Sequence, residues 1–544
     1  QEENKMKKGM RCAAVLLSGV AMLAATACTP EAPDTEDTLE IYVQDLGFGT
    51  QWLRDEIELF KEQDWVKEKY PNLNIPAPKY NSQYGYGTNL IKAGAQANSI
   101  DLFFISADYE FQSLLDSSGN HYVADLNDVF NSQVPGEEID YKDKMFDEYE
   151  RMSRYNNTYW STLWSAPYSG LLYNADRFEE LGLEVPVTTN DLLGLCKEVK
   201  ETKHYTVGQE EKDYTIMFST QRTEAMYWQY LAFPAWWMQY EGLDHYYDFY
   251  RGIDYRTGTR DSRDIYRQPG RKAALDVLYP LIHDYSFSGA GSIDFIEAQT
   301  RFLMGDGLIM ANGDWFYNEM RQTVDGLKPQ GYDYDIRFMK IPVISSVVDN
   351  LDTVKEEGQL KAVIQAIDSG ASSVDELSAE LDYVSKEDFE HLYEVRTTIP
   401  SNSMHQAFIP AYATATDLAK DFLRFLATDI AINQYMKSTR GAAVPFDYNV
   451  TEKDPELYAT FDGIQQYRHD IFYATAERPK FVLSERDEEF PLFYLGGMKA
   501  VPSNYIDSAF TVGGGMNAEQ FNNEMIEYYA GSRWDDVLRN AGRK

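Results

Sequence analysis

Cysteine is scarce: Cys12, Cys28 and Cys196 are the whole supply in 544 residues. With two of them inside the first thirty positions, no disulfide framework can form, so the fold must hold by packing. Histidine is thin as well. His121, His204, His245, His283, His391, His405 and His469 are scattered, with no H-E-x-x-H and no pair at helical ligand spacing, which argues against a zinc enzyme. No G-x-S-x-G nucleophile elbow occurs. Basic residues are outnumbered, 50 Lys and Arg against 87 Asp and Glu, and the formal charge of −37 repels nucleic-acid phosphates and anionic membrane surfaces. Beyond the first thirty residues no continuous apolar run reaches membrane-spanning length.

What is present is a chain long enough for more than one compact unit, 44% hydrophobic and 25% charged, a soluble globular balance. It is rich in rings: 40 Tyr, 28 Phe and 9 Trp are more than a core alone requires. Lys7, Lys8 and Arg11 precede a 14-residue apolar and small-residue run, Cys12 to Ala25, closing with Ala25-Thr26-Ala27-Cys28. Residues 1–27 therefore read as a secretory signal peptide, with a natural start at Met6. The ending resembles a bacterial lipobox, with Ala25 where leucine is usual, so Cys28 is expected to carry lipid, palmitate included. A plain signal peptide would leave Cys28 as a free thiol with no evident use. Residues 28–37 are acidic and Pro-bearing, a solvated tether to a body held at the outer face of the cell membrane.

In the body, Leu39–Val43 reads as a strand, Trp52–Lys69 as an amphipathic helix, and Ile100–Ile105 as a strand buried on both faces, as in parallel sheets. Further strands are read at Leu171–Tyr173, Gly307–Ala311 and Ile336–Ile341, and helices at Asp191–Lys200 and Leu418–Ala427. The alternation predicts an α/β architecture. Ligands in such sheets sit beyond the carboxyl ends of strands, which singles out Gln44, Asp45, Asp108 and Tyr109. Charged, helix-favouring sequence from Val347 to Arg396 reads as an inserted helical hairpin. The turn Gly47-Phe48-Gly49-Thr50-Gln51-Trp52 imitates a dinucleotide loop but puts Trp52 where the third glycine is needed. With 87 carboxylates a glycosidase pair is always conceivable, because that reaction leaves no other spacing signature. The densest aromatic passage, Tyr227 to Tyr240, carries Trp228, Trp236 and Trp237 beside Gln229 and Gln239. Rings flanked by amides suit a pyranose, whose C–H face stacks while its hydroxyls hydrogen-bond. Most of these rings are expected in the core, with Trp236 or Trp237 reaching a ligand.

Four segments, in order, resemble the extracellular solute-binding proteins of bacterial ABC sugar importers, family 1, in their large Gram-positive form. They are A-P-Y-S-G-L-L-Y-N-A-D-R-F-E-E-L-G-L-E-V-P-V-T-T-N-D-L from Ala166, F-L-M-G-D-G-L-I-M-A-N-G-D-W ending at Trp315, F-I-P-A with L-A-K-D-F-L-R-F-L from Phe408 to Leu426, and G-A-A-V-P from Gly441. Only five residues separate Pro167 from Tyr173, fewer than in many members, so of that passage only Tyr168 carries over as a binding position. The resemblance implies a two-lobed periplasmic-binding-protein-like α/β fold of type II, with crossover hinge strands. Lobe one would be 38–165 and 342–436, with the insertion at 347–396, and lobe two 166–341 and 437–544. It implies a monomeric receptor, no cofactor, no metal and no catalysis, that closes on an oligosaccharide and delivers it to a permease. Trp315 would stack on the sugar and Asp314 accept hydroxyl hydrogen bonds, with Trp236, Trp237, Tyr168, Asp108, Tyr84 and Gln44 as further contacts. A secreted glycan hydrolase using a carboxylate pair and a receptor for a non-sugar ligand such as a peptide are the competing readings.

Overall fold

The computed structural model describes residues 36–106, 111–115, 121–207, 210–214, 228, 232–286, 293–401, 405–475, 478–482, 490–501, 509–510, 515–529 and 531–544. The signal segment, Cys28 and Asp108 lie outside them. Along the chain, β1 (Ile41–Gln44), β2 (Lys79–Asn81), β3 (Leu102–Ser106), β4 (Thr162–Leu163), β5 (Ser169–Asn174), β6 (Ile309–Gly313), β7 (Ile336–Met339), β8 (Ile399–Pro400), β9 (His405–Phe408) and β10 (Phe481–Val482) lay down the frame.

Sheet one is five-stranded in the order β2-β1-β3-β9-β4. β1, β2 and β3 run parallel, while β9 is antiparallel to both β3 and β4. Every residue of β3, L-F-F-I-S, is buried, as a strand covered on both faces requires. Phe104 faces the helix Gln51–Glu62, whereas Phe103 and Ile105 face Ile91 of the helix Tyr86–Ala93. The helix Gln51–Glu62 presents Trp52, Leu53, Ile57 and Phe60 to the sheet. It ends where Gln63 turns extended (ψ 131°), so the continuous Trp52–Lys69 helix expected from sequence is two helices, the second being Asp64–Lys69.

Sheet two, β6-β5-β7, is antiparallel throughout. Its faces alternate with the two-residue period of a strand: Leu172, Met310 and Phe338 enter one core with sheet one, and Leu171, Ile309, Ala311 and Met339 enter a second. The chain passes from sheet one to sheet two through Trp164–Tyr168, and returns through β8 to β9. Another crossing follows the helix Asp429–Thr439. The crossings bind one another: Trp164 N donates to the His405 carbonyl at 3.2 Å and Ala166 N to the Ala443 carbonyl at 3.0 Å. β8 pairs in parallel with β10 beside them.

The lobe boundaries need one correction. The segment 342–397 does not accompany sheet one. Val347, Leu360, Ile364, Phe389 and Leu392 pack into the second core with Trp236 and Leu171. Asn350 Nδ2 donates to the Tyr240 carbonyl at 2.8 Å, and Ile344 N to Gln239 Oε1 at 2.9 Å. The insertion is two helices, Glu357–Asp368 and Lys386–Thr397, which pack on each other and bury their apolar stripes in this second core, the latter beside the helix Phe233–Glu241. It therefore thickens lobe two. Among the described residues no helix is long and apolar enough to cross a membrane.

Candidate functional site

The carboxyl ends of β1, β3 and β4, with the start of β9, lie at one end of sheet one, because Gln44 aligns with Asn81 and His405 with Ser106. The end of β6 aligns with the start of β5 at Gly313 and Ser169. The two ends meet at Trp315. Its half-buried indole follows β6 and lies against Gly313 so closely that no β-carbon would fit there. From lobe one, Gly47 approaches the same ring: a β-carbon at Gly47 would stand 2.9 Å from Trp315 Cβ and 3.1 Å from Cδ1. Only glycine lets the loop after β1 come that near.

Behind the loop a wall of rings closes the lobe-one side. Phe48 stands edge-on to His405 at 5.3 Å between centroids, His405 stacks on Trp164 at 4.8 Å, and Trp164 stacks on Trp52 at 4.6 Å. Burial holds the His405 imidazole down to about 3, so it is neutral. Gln44 is buried at the strand end; its Oε1 accepts from Ser106 N at 2.9 Å, and its Nε2 has no partner among the described residues. Below this wall, Glu56 is fully buried with neither oxygen hydrogen-bonded among the described residues, and desolvation raises its carboxyl well above the usual range.

Asp314 does not face a ligand. It is wholly buried: Oδ2 accepts from Ala443 N at 3.4 Å, its carbonyl accepts from Gln465 Nε2 at 2.8 Å, and Asp314 N donates to the Tyr168 carbonyl at 3.0 Å. Burial lifts its carboxyl to about 7, against the pull of the Arg468 guanidinium. The residue pins a hinge crossing from inside. Trp236 and Trp237 are likewise core. Trp236 Nε1 donates to the Pro342 carbonyl at 3.1 Å and Trp237 Nε1 to Gln268 Oε1 at 2.9 Å, while the Arg271 guanidinium stacks 4.6 Å from the Trp237 ring centre. Tyr168 is buried, edge-on to Phe338 at 4.8 Å. It borders a crevice on the lobe-two side of the crossings, lined also by Gln239, Arg396, Pro400 and Phe472; Trp315 is not among its lining residues. Tyr84 is 64% exposed on the turn after β2.

So the structure brings Trp315 and Gln44 to the meeting of the sheets, sends Asp314, Trp236 and Trp237 to the interior, and sets Tyr84 on the rim. Phe48, Trp164, His405 and Glu56 escaped the sequence reading. Glu56 had a signal: it falls inside the apolar stripe Trp52, Leu53, Ile57, Phe60.

The model of the family described as bacterial extracellular solute-binding protein matches residues 51–243. The chain also matches solved structures over nearly its whole length. RafE from Streptococcus pneumoniae is 15% identical with a TM-score of 0.55, over 92% of this chain and 98% of that one. The GacH receptor of Streptomyces glaucescens, described unliganded and with acarbose, is 14% identical with a TM-score of 0.52, over 92% and 98%. A protein from a study of xylan utilization by Caldanaerobius polysaccharolyticus is 15% identical with a TM-score of 0.54, over 90% and 99%. No curated protein matches the chain in sequence. At these identities the structural likeness establishes the two-lobed α/β fold.

Proposed function

We propose that the protein is a receptor that binds a carbohydrate, an oligosaccharide, between its two lobes and hands it to the permease of an ABC importer. Lipid on Cys28 would hold it, as a monomer, at the outer face of the cell membrane. The observation that carries the reading is the approach of Gly47 from lobe one to the half-buried indole of Trp315 from lobe two. An indole face with ring walls behind it suits the C–H face of a pyranose. The fold adds support, since RafE is described in complex with raffinose and another neighbour as a chitin oligosaccharide binding protein.

Function then follows from two conformations. A sugar touching both lobes gains contacts only when they close, so binding shifts the population towards the closed form by its differential affinity. No bond is broken. Trp315 orients the ligand, the crossings bend, and the closed outline is what a permease would recognise.

Calorimetry of the mature protein with neutral oligosaccharides, followed by chromatography of the same sugars, tests this. Saturable binding with the sugars recovered intact is expected. Shortened products would overturn the reading in favour of a hydrolase, and binding of peptides but no sugar would overturn the ligand class. For the anchor, Cys28→Ser should leave the precursor unprocessed or release protein to the medium; membrane retention of a processed Cys28→Ser protein would refute lipidation.

A further inference from the structure

The outer strand of sheet one ends in a turn with an unusual surface. From Tyr80 to Ile91 the sequence Y-N-S-Q-Y-G-Y-G-T-N-L-I contains no charged residue, in a protein that is 25% charged. Tyr80 is 60% exposed, Tyr84 64% and Tyr86 39%, although tyrosines of a sheet-and-helix layer are ordinarily half covered. Exposed Ser82, Gln83 and Asn89 stand among them. Rings interleaved with amides and a hydroxyl, without charge, form a surface for a neutral polyhydroxylated ligand.

The turn is held firmly. Asn81 Oδ1 accepts from Gln83 N at 2.6 Å, Gly85 takes a left-handed conformation (φ +76°), and the helix Tyr86–Ala93 begins at once. A β-carbon at Gly87 would stand 3.1 Å from Tyr42 Cε1, so that helix lies tight on the sheet. Rings fixed on such a turn lose little freedom on binding.

The turn is also continuous with the cleft. Trp315 abuts Gly47, two residues past Asp45, and Asp45 N donates to the Asn81 carbonyl at 2.9 Å. The loops after β1 and β2 thus run side by side, about one strand spacing (roughly 4.8 Å) apart. The turn that carries Tyr84 therefore flanks the loop that touches Trp315.

We propose that Tyr80, Tyr84 and their neighbouring amides form a second carbohydrate-contact surface, which carries the outer rings of a linear oligosaccharide whose inner rings occupy the cleft. This rests on the receptor reading above and deepens it: the substrate class becomes the longer neutral oligosaccharides, gripped progressively as they lengthen.

The test uses xylo-, cello-, malto- and chito-oligosaccharide ladders, from disaccharide to hexasaccharide, titrated by calorimetry into wild type and a Tyr80→Ser/Tyr84→Ser variant. Both side chains are exposed, so the variant should melt with the wild type. Wild type should gain affinity with length on one ladder. The variant should bind the disaccharide unchanged and lose about tenfold or more on the hexasaccharide, as expected for removed stacking rings. A length-dependent gain that survives in the variant overturns this inference alone. Unchanged sugar affinity with impaired uptake in cells also overturns it, because the surface would then serve the permease. Wild-type protein that binds no ladder overturns the receptor reading and this inference together.

Discussion

Replacing Asp314 with asparagine should stabilise the protein at neutral and alkaline pH and do nothing in acid. The carboxyl is fully buried, with Oδ1 unpaired among the described residues and Oδ2 receiving Ala443 N, and its folded pKa is about 7 against an ordinary 3.8. Below pH 4 the group is protonated in both folded and unfolded chains and contributes no pH dependence. Between pH 4 and 7 the unfolded chain releases the proton while the folded one keeps it, so the folded state binds more protons and stability falls as pH rises. The loss is complete above pH 7. At 1.36 kcal/mol per pH unit, the span from 3.8 to about 7 sets a ceiling of about 4 kcal/mol. Asparagine keeps an oxygen for Ala443 N and cannot ionise. For a cooperative unit of lobe size, about 2 °C per kcal/mol applies, so Asp314→Asn should raise the melting temperature by up to roughly 8 °C at pH 8. Asp462, lifted by burial to about 6, titrates in the same window. The assay is therefore the difference between variant and wild type, by calorimetry or urea unfolding from pH 4 to 8. Parallel curves, or a variant weaker at pH 8, would refute the reasoning and mean that Asp314 is ionised and paired with Arg468. Sugar affinity should not change, since the side chain does not reach the cleft.

Trp315→Ala should weaken sugar affinity at least tenfold by calorimetry, in line with about 1–3 kcal/mol for a lost stacking ring, and barely move the ligand-free melting temperature. Trp236→Ala should do the opposite, costing about 3–5 kcal/mol of stability in urea unfolding while any protein that folds binds normally. Gly47→Val puts branched carbon where a single β-carbon already stands 2.9 Å from Trp315, so scattering should show no ligand-induced compaction. Arg271 is fully buried, its guanidinium held down to about 10 by desolvation and set 4.6 Å from Trp237 and 4.8 Å from Phe249. Arg271→Met, which fills the space without charge, should unfold near the wild-type midpoint, whereas Arg271→Ala should lose several kcal/mol.

Local pattern made the sheet frame legible. The run read as Ile100–Ile105 is β3 at Leu102–Ser106, and the strand read as Leu171–Tyr173 is the middle of β5. The helix read as Asp191–Lys200 is Thr189–Thr202, and the capping box of Thr188 and Asp191 sets its earlier start. What misled was burial set by distant chain. Asp314 sits in a Gly-Asp-Trp turn that looks solvated, yet Ala443, Gln465 and Arg468 close over it. The helix Phe233–Glu241 is buried nearly all round, and an all-round apolar helix belongs to a core, so Trp236 and Trp237 carried their own warning. The insertion's attachment to lobe two was hidden because an amphipathic stripe announces that it will be covered and not by what.

The place of β9 has a consequence for a chain still being made. Its residues, 405–408, fill the gap between β3, which ends at Ser106, and β4, which ends at Leu163. Until they emerge from the ribosome, the outer edge of β3 has nothing to pair with and β4 has no neighbour in the sheet. An unfilled edge on a buried strand is both unstable and prone to pairing with strangers. Lobe one therefore cannot complete itself during most of synthesis, and the nascent protein stays in an open, threadable condition until about three-quarters of it exists. Chaperones that bind extended segments should find it a long-lived client, released only when the late strand slots home.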